Sequence, residues 1–172
     1  MHRGLLFRNT HHKYNNERGS IVYWLFFTLI IITAYSFHFD TSNGYITKKL
    51  LHDSIENSLQ AAGTLWAKDH GYSPIDRDVA LANFNLYLQK NLQLDSNNMP
   101  LPNSPVTSQV KVVEFNVINT VPSVDPIKGD LVEYYSIEAV VTTTAKPYLN
   151  SLYNGTAYTI TDFARVSLKP NQ

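Results

Sequence analysis

Residues 20–39 read SIVYWLFFTLIIITAYSFHF, and this stretch decides how the rest of the chain is interpreted. It contains no Asp, Glu, Lys or Arg. About 20 helical residues, rising about 1.5 Å each, span about 30 Å, which matches the hydrocarbon core of a bilayer. Aromatic residues, which favour the membrane interface, lie near both ends. They are Tyr23, Trp24, Tyr35, Phe37 and Phe39. The stretch predicts a transmembrane helix.

The charges on the two sides of this stretch are unequal. Residues 1–19 carry Arg3, Arg8, Lys13 and Arg18 against the single acid Glu17. The twenty residues that follow Phe39 carry three acids and two lysines. Because cytoplasmic flanks are enriched in Lys and Arg, the N-terminus is predicted to lie in the cytoplasm. The chain is thus divided into a basic cytoplasmic tail (1–19), a transmembrane helix (20–39) and an extracytoplasmic domain (40–172) of a cell-membrane protein.

Two other interpretations of the apolar stretch stay open. A core helix of a soluble protein can be apolar all round. A cleaved secretory signal is the stronger alternative, because Ala34-Tyr35-Ser36 is a small-x-small site that would leave Phe37 as the first residue. The stretch is long, rich in bulky aromatics and still apolar at Phe39, which favours a retained anchor.

Length and composition narrow the class of protein. A chain of 172 residues has room for one ordinary domain and an anchor. The formal net charge is zero, whereas nucleic-acid-binding proteins typically carry a strong positive charge. No nucleic-acid partner is therefore expected. Cysteine is absent, which excludes disulfides, thiolate zinc sites and cysteine nucleophiles.

The segment after the membrane stretch has helical periodicity. Between residues 44 and 67 the apolar residues recur at helical spacing, and polar residues take the other face. They are Ile46, Leu50, Leu51, Ile55, Leu59, Ala62, Leu65 and Trp66. Leu51, Ile55, Leu59, Leu65 and Trp66 are the predicted packing face, used either within the domain or between subunits. Asn43-Gly44 is expected to interrupt the path between the two helical stretches.

A second amphipathic helix is predicted after Pro74. Asp76 is the candidate N-cap, and residues 95–105 (DSNNMPLPNSP) end the helical region, which covers about 44–94. The apolar stripe of this helix repeats at helical spacing. It consists of Val79, Leu81, Phe84, Tyr87, Leu88 and Leu92.

The period changes to two over about 106–168, which predicts three strands. The first places Val113, Phe115 and Val117 on one side; the second runs from Tyr135 to Val141; the third runs from Tyr158 to Leu168, with Asp162 interrupting its apolar side. Turn residues separate the strands: Pro122, Pro126 and Gly129, then Pro147 and Asn154-Gly155. Helices followed by strands predict an α+β fold, with the amphipathic helices packed on a small antiparallel sheet.

This order of parts carries a resemblance. Glu17-Arg18-Gly19-Ser20 followed at once by an apolar helix, an amphipathic helix and a C-terminal sheet resembles the pseudopilins of tight-adherence (Flp-type) pilus systems, more narrowly the TadE/TadG-like proteins of Gram-positive bacteria. The resemblance implies cleavage by a prepilin peptidase between Gly19 and Ser20, and partners among pilin-like subunits of the same assembly. The family commonly has a Glu five residues after the cut, where this chain has Trp24.

No catalytic or metal-binding constellation is visible in the sequence. The six histidines show no paired spacing such as H-x-x-x-H, and Asp76-x-Asp78 has the position of helix-capping residues. No enzyme activity, cofactor or metal is therefore expected. Three hypotheses remain: a structural component of a pilus or secretion assembly; a permanently anchored binding or accessory subunit of an envelope or conjugation complex; and, with least support, an enzyme. Neighbouring genes for a secretion ATPase and a polytopic platform protein would favour the first.

Overall fold

The computed structural model describes residues 10–145 and 157–170, with side chains from Ser20 onward except that of Tyr158. Two helices come first, α1 (Thr10–His70) and α2 (Arg77–Leu92). Five strands follow in chain order: β1 (Lys111–Ile118), β2 (Ser123–Val124), β3 (Leu131–Val132), β4 (Ser136–Ala145) and β5 (Tyr158–Ser167).

The helix α1 is continuous over 61 residues, which corresponds to about 90 Å. The expected interruption at Asn43-Gly44 is therefore wrong: the apolar stretch and the amphipathic segment form one helix. A glycine inside a helix costs only about 1 kcal/mol, and unlike proline it keeps its backbone N–H. The packing of the C-terminal half of α1 against the rest of the domain outweighs such a cost.

Both helices of the domain have capped ends. Gly71, with a φ of 67°, follows the last residue of α1, and its N–H donates to the Ala67 carbonyl at 2.8 Å. At the start of α2, one Asp76 side-chain oxygen accepts the N–H groups of Asp78 (2.9 Å) and Val79 (3.0 Å). The sequence prediction that Asp76 is the N-cap is confirmed.

The main sheet has three antiparallel strands in the order β1-β4-β5, so that β4 is central. The two helices cover one face, where the core lies. Phe84 and Leu88 of α2 and Ile137 and Ala139 of β4 are among its buried residues. The short strands β2 and β3 pair with each other and approach the opposite face of the sheet. The predicted α+β architecture, with a long apolar helix and a small antiparallel sheet, is thus observed.

The first strand departs from the predicted alternation. Pairing steps from Val112↔Val141 to Glu114↔Val140, which leaves Val113 in a β-bulge. Val113 is 62% exposed, while Val112 packs against the core instead. A bulge inserts one extra residue into a strand, so it reverses the alternation on one side of it. The prediction that Val113 shares a face with Phe115 is wrong for this reason.

The strands lie close to their predicted positions. β4 begins one residue after the predicted Tyr135 and continues beyond Val141 to Ala145, and β5 ends one residue before the predicted Leu168. Pro122, Pro126 and Gly129 lie in the connection between β1 and β4 that carries the short β2–β3 pair. The predicted second connection, with Pro147 and Asn154-Gly155, lies outside the described residues.

Candidate functional site

The apolar N-terminal half of α1 does not contribute to the hydrophobic core. Within the described residues, one helix is long and apolar enough to cross a membrane, and none of its most apolar window is buried in the protein. The side chains from Ile21 to Phe39 are exposed, except the half-buried Ser36. A core helix of a soluble protein would be mostly buried, so this arrangement does not support that interpretation.

Three aliphatic hydroxyl groups of the apolar stretch are satisfied within the helix. Thr28, Thr33 and Ser36 each donate to the carbonyl four residues earlier, at 2.7–2.8 Å. Backbone hydrogen bonds within α1 satisfy the main chain in the same way. A bilayer core offers no water to satisfy such groups, so internal bonding is what a membrane-spanning helix requires.

The candidate processing bond, Gly19–Ser20, lies inside the helical backbone of α1. Ser20 is exposed and is the first residue of the uninterrupted apolar stretch. Trp24, at the position where the resembling family commonly has Glu, is also exposed. The structure thus places an indole, and no carboxylate, at this point on the surface of the helix.

The predicted packing face of α1 lies inside the domain. Leu51, Ile55, Leu59 and Trp66 are buried in the core, while Leu65 is only half-buried. The four buried side chains belong to the core that α1 forms with the sheet and α2. They are not free for contacts with other subunits. Any assembly surface on α1 must therefore use other residues.

Small residues bring α1 close to its neighbours. A Cβ atom on Gly63 would lie 2.6 Å from Leu168 Cδ2, so the missing side chain provides room for this leucine just after β5. On the side facing α2, the buried Ser58 hydroxyl donates to the Ser54 carbonyl at 2.6 Å and accepts from Asn91 Nδ2 at 3.0 Å. The C-terminal half of α1 is thereby fixed to both the sheet and α2.

A charged cluster occupies the other face of the sheet. Arg165 of β5 donates from Nη1 to Oδ1 of Asp130 at 2.9 Å and from Nη2 to Oδ2 at 2.6 Å. Its Nη1 also donates to Asp125. Glu138 of β4 stands opposite Arg165 in the strand register and accepts from Asn116 Nδ2 at 3.0 Å. Both Asp125 and Glu138 are completely or almost completely buried.

The surroundings raise the pKa of Glu138 but lower the pKa values of Asp125 and Asp130. Burial raises the pKa of Glu138 to about 7, with further increases from the hydrogen bond and charge of Asp125. Burial alone would raise the pKa of Asp125 too, but the amides of Lys128 and Ile127, together with Glu138 and Arg165, bring it below its ordinary value. The hydrogen bond from Arg165 likewise lowers the pKa of Asp130.

A second polar contact lies on the helix-covered face. His52 Nδ1 of α1 is 2.8 Å from Asp162 Oδ2 of β5. Asp162 is the residue that interrupts the apolar side of the last strand in the sequence. Its carboxylate is paired with a partly exposed imidazole at the edge of the core. The contact connects the helix to an edge strand and assembles no catalytic triad.

Two further features of the described surface bear on ligand binding, a search for metal ligands and a groove at the end of α2. Among the side chains that the structure describes, from Ser20 to Ala145 and over residues 157–170, no group of three or more His, Asp or Glu is arranged to hold a metal ion. An open, mostly apolar groove of about 660 Å³ lies at the C-terminal end of α2. Its lining includes Leu86, Lys90, Leu94, Leu101 and Pro102. It contains one lysine and no nucleophile or acid–base pair.

Sequence reasoning missed the charged cluster. Glu138 and Arg165 fall on the polar side of alternating strands, which is the pattern of solvent-exposed residues. The available signal was the segment Asp125-Pro126-Ile127-Lys128-Gly129-Asp130, because an Asp followed by Pro and Gly is typical of a turn in which the carboxylate accepts backbone amides. That signal predicts a turn, but not the surface on which the turn lies.

No protein-family model, curated protein or solved structure matches the chain. Its fold and its surfaces are therefore the basis for any functional assignment.

Proposed function

We propose that this protein is a membrane-anchored, non-catalytic structural component of a pilus or secretion-type assembly, similar to a pseudopilin. One observation carries the proposal. The single helix α1 is exposed and apolar in its N-terminal half, whereas its C-terminal half covers a small antiparallel sheet. In a subunit of this form, the C-terminal half of the helix stabilises the domain. The exposed N-terminal half can be enclosed by the bilayer or by neighbouring subunits.

Two further features support the proposal. The basic tail before Ser20 favours an N-terminus in the cytoplasm, with the folded domain on the other side of the cell membrane. Arg18-Gly19-Ser20 at the start of the apolar stretch supplies a site for a prepilin peptidase. Cleavage there would remove most of the cationic groups that hold the helix in the membrane, and the helix could then enter an assembly.

N-terminal processing tests the proposal directly. In the native host, the mature chain should begin at Ser20 and appear in the sheared surface fraction. Gly19→Val should leave the full-length form in the membrane. Gly4→Val places the same substitution in the same tail, far from the bond, and should be processed normally. A mature chain that keeps Met1 and stays entirely in the membrane would contradict the assembly role.

The surface of α1 opposite its buried face provides a second test. Ile46 and Leu50 are exposed and, at 100° per residue, lie on the side away from Leu51 and Ile55. Leu50→Asp should leave the folded domain intact and prevent incorporation into the assembly. Leu86→Asp, an equally polar change at an exposed leucine of α2, serves as the control. Normal incorporation of Leu50→Asp would remove this surface from the proposed interface.

Trp24 favours the alternative, a permanently anchored binding or accessory subunit of an envelope or conjugation complex. The resembling family commonly has Glu at this position, and Trp at a membrane interface is typical of an anchor. Trp24→Glu distinguishes the two functions. For an assembly subunit the variant should be processed and incorporated at least as well as the native chain. For a permanent anchor, a carboxylate near the membrane should only reduce membrane retention.

A further inference from the structure

The strands β2 and β3 and the turn between them (residues 123–132, called the flap below) lie against the face of the sheet that the helices leave uncovered. Each strand of the flap has only two residues. An isolated hairpin is marginally stable at best even when its strands are longer, so the flap depends on its contacts with the sheet. Among them, Val132 is buried and the Lys128 ammonium lies 4.6 Å from the centre of the Phe163 ring.

Most of the polar attachment passes through one side chain. Arg165 donates to Asp125 and to both oxygens of Asp130, and these two acids lie on opposite sides of the flap turn. Inside the turn, Asp125 Oδ1 accepts the N–H groups of Ile127 (2.6 Å) and Lys128 (2.7 Å). The carboxylate that holds the turn together is therefore also the carboxylate that holds it on the sheet.

Glu138 lies beneath this attachment and is completely buried. Its Oε1 accepts from Asn116, but in the part of the chain that the structure describes its Oε2 has no donor. The Asp125 carboxylate is the neighbouring acid, and its charge adds to the effect of burial in raising the pKa of Glu138. Two neighbouring buried carboxylates repel each other, which favours keeping one proton on the pair.

The charges around Glu138 show what its ionisation would do. Next to it are Arg165 of β5 and Asp125 of the flap. Asp130, with Lys128 nearby, is bonded to the same Arg165, and Glu114 of β1 accepts from the same Asn116 amide as Glu138 does. With Glu138 protonated, Arg165 faces two carboxylates. With Glu138 ionised, it faces three, and two of them are buried. Release of the flap would let water reach Glu138 and Asp125 and would relieve this repulsion.

We infer that the flap is a proton-controlled latch, which is closed over the sheet when the Glu138–Asp125 pair holds a proton and released when the pair loses it. Release would expose the outer face of β4 and β5, including Phe163 and Val140, which are half-buried beneath it. The pKa of Glu138, raised to about 7 by burial, places the change in the range that an extracytoplasmic domain meets. The inference does not depend on the proposed assembly role.

Hydrogen exchange measured by mass spectrometry on the full chain in detergent micelles tests the latch. Rates at about pH 5.5 and about pH 8.5, corrected for the intrinsic chemical rate, lie on either side of this pKa. The Asp125 and Gly129 amides, which donate within the flap at 2.9 Å, should lose at least about tenfold of their protection at the higher pH. Amides in the β4–β5 ladder should keep theirs.

Two variants make the test specific. Glu138→Gln keeps the shape, cannot ionise and can donate to Asp125, so the flap should stay protected at both pH values. Glu114→Gln removes a neighbouring but exposed carboxylate and should behave like the native chain. The latch is wrong if protection of the native flap is the same at both pH values, or if Glu138→Gln loses as much protection as the native chain does. The native comparison decides even if a variant does not fold.

Discussion

Leu50 and Leu51 are adjacent in the chain, and α1 turns them to opposite environments. Leu51 is completely buried beneath the helix, whereas Leu50 is 40% exposed. The difference separates two faces of α1 and not two stretches of it, since Thr47, before Leu50, is already half-buried. Every residue that packs in the core from α1 comes after Leu50 among those described.

Truncating a leucine to alanine should reduce the stability of the domain much more on the buried face of α1 than on the exposed face. Leu59→Ala leaves a cavity in the core and should reduce the free energy of unfolding by about 2–5 kcal/mol. Leu50→Ala, the same change on the exposed face, should cost less than about 0.5 kcal/mol. Urea unfolding of the full chain in micelles, followed by tryptophan fluorescence, measures both. Equal losses would contradict the assignment of the buried face.

The stability of the domain should be greatest at mildly acidic pH. The pKa of Glu138 is raised from 4.5 to about 7, so the folded chain keeps a proton that the unfolded chain loses, and stability falls as the pH rises across this window. Asp125 and Asp130 have lowered pKa values, so their contribution is present above about 3.8 and is lost as the pH falls through their folded pKa values.

Urea midpoints measured at a series of pH values should therefore decline on both sides of about pH 5. Glu138→Gln should remove the decline on the alkaline side and keep the one on the acidic side. A native midpoint that rises from pH 5 to pH 7 would contradict the protonation assigned to Glu138.

Arg165 should be more important to stability than a typical surface arginine. Arg165→Met leaves Asp125 buried without its cation, and breaking such a pair costs about 2–4 kcal/mol when part of the arginine is exposed. Arg77→Met removes a more exposed guanidinium, which lies 4.0 Å from Asp78 and donates to the Phe115 carbonyl at 3.2 Å, and should cost only about 1 kcal/mol. Chemical unfolding at neutral pH compares the two variants. Similar small losses would show that the buried contact contributes little.

The charge asymmetry predicts the orientation in the membrane. A reporter after Gln172 should be active only if it functions outside the cytoplasm, and protease added to wall-stripped cells should digest the domain. Replacing Arg3, Arg8, Lys13 and Arg18 by Gln should lower the fraction of correctly oriented chains, because the cations of the cytoplasmic flank set the orientation. Complete protection of the domain in the native chain would contradict the prediction.

Sequence periodicity was sufficient to predict helices and strands wherever one face of the element is buried against the rest of the domain. The spacing of Leu51, Ile55 and Leu59 identified a buried helix face because a helix repeats every 3.6 residues. The side chain of Asp76 identified a helix start because it can accept the free amides of the first turn. Such local rules concern residues that are near one another in sequence.

Contacts between distant residues could not be predicted from the same patterns. The bulge at Val113 depends on how β1 pairs with β4, and nothing in β1 alone requires it. The burial of Glu138 depends on the flap, whose Asp125 and Asp130 reach Arg165 from 40 and 35 residues away in the chain. Likewise, Gly44 resembles a helix interruption until the packing of the segment that follows it is known.

The unbroken path of α1 makes the number of residues between the apolar half and the core a geometric parameter. A helix turns by about 100° and rises by about 1.5 Å with each residue. One alanine inserted between Asp40 and Leu50 would therefore rotate the whole sheet by about 100° about the helix axis, relative to the apolar half. A twist or pull applied at the apolar end of α1 would reach the core through the same continuous helix.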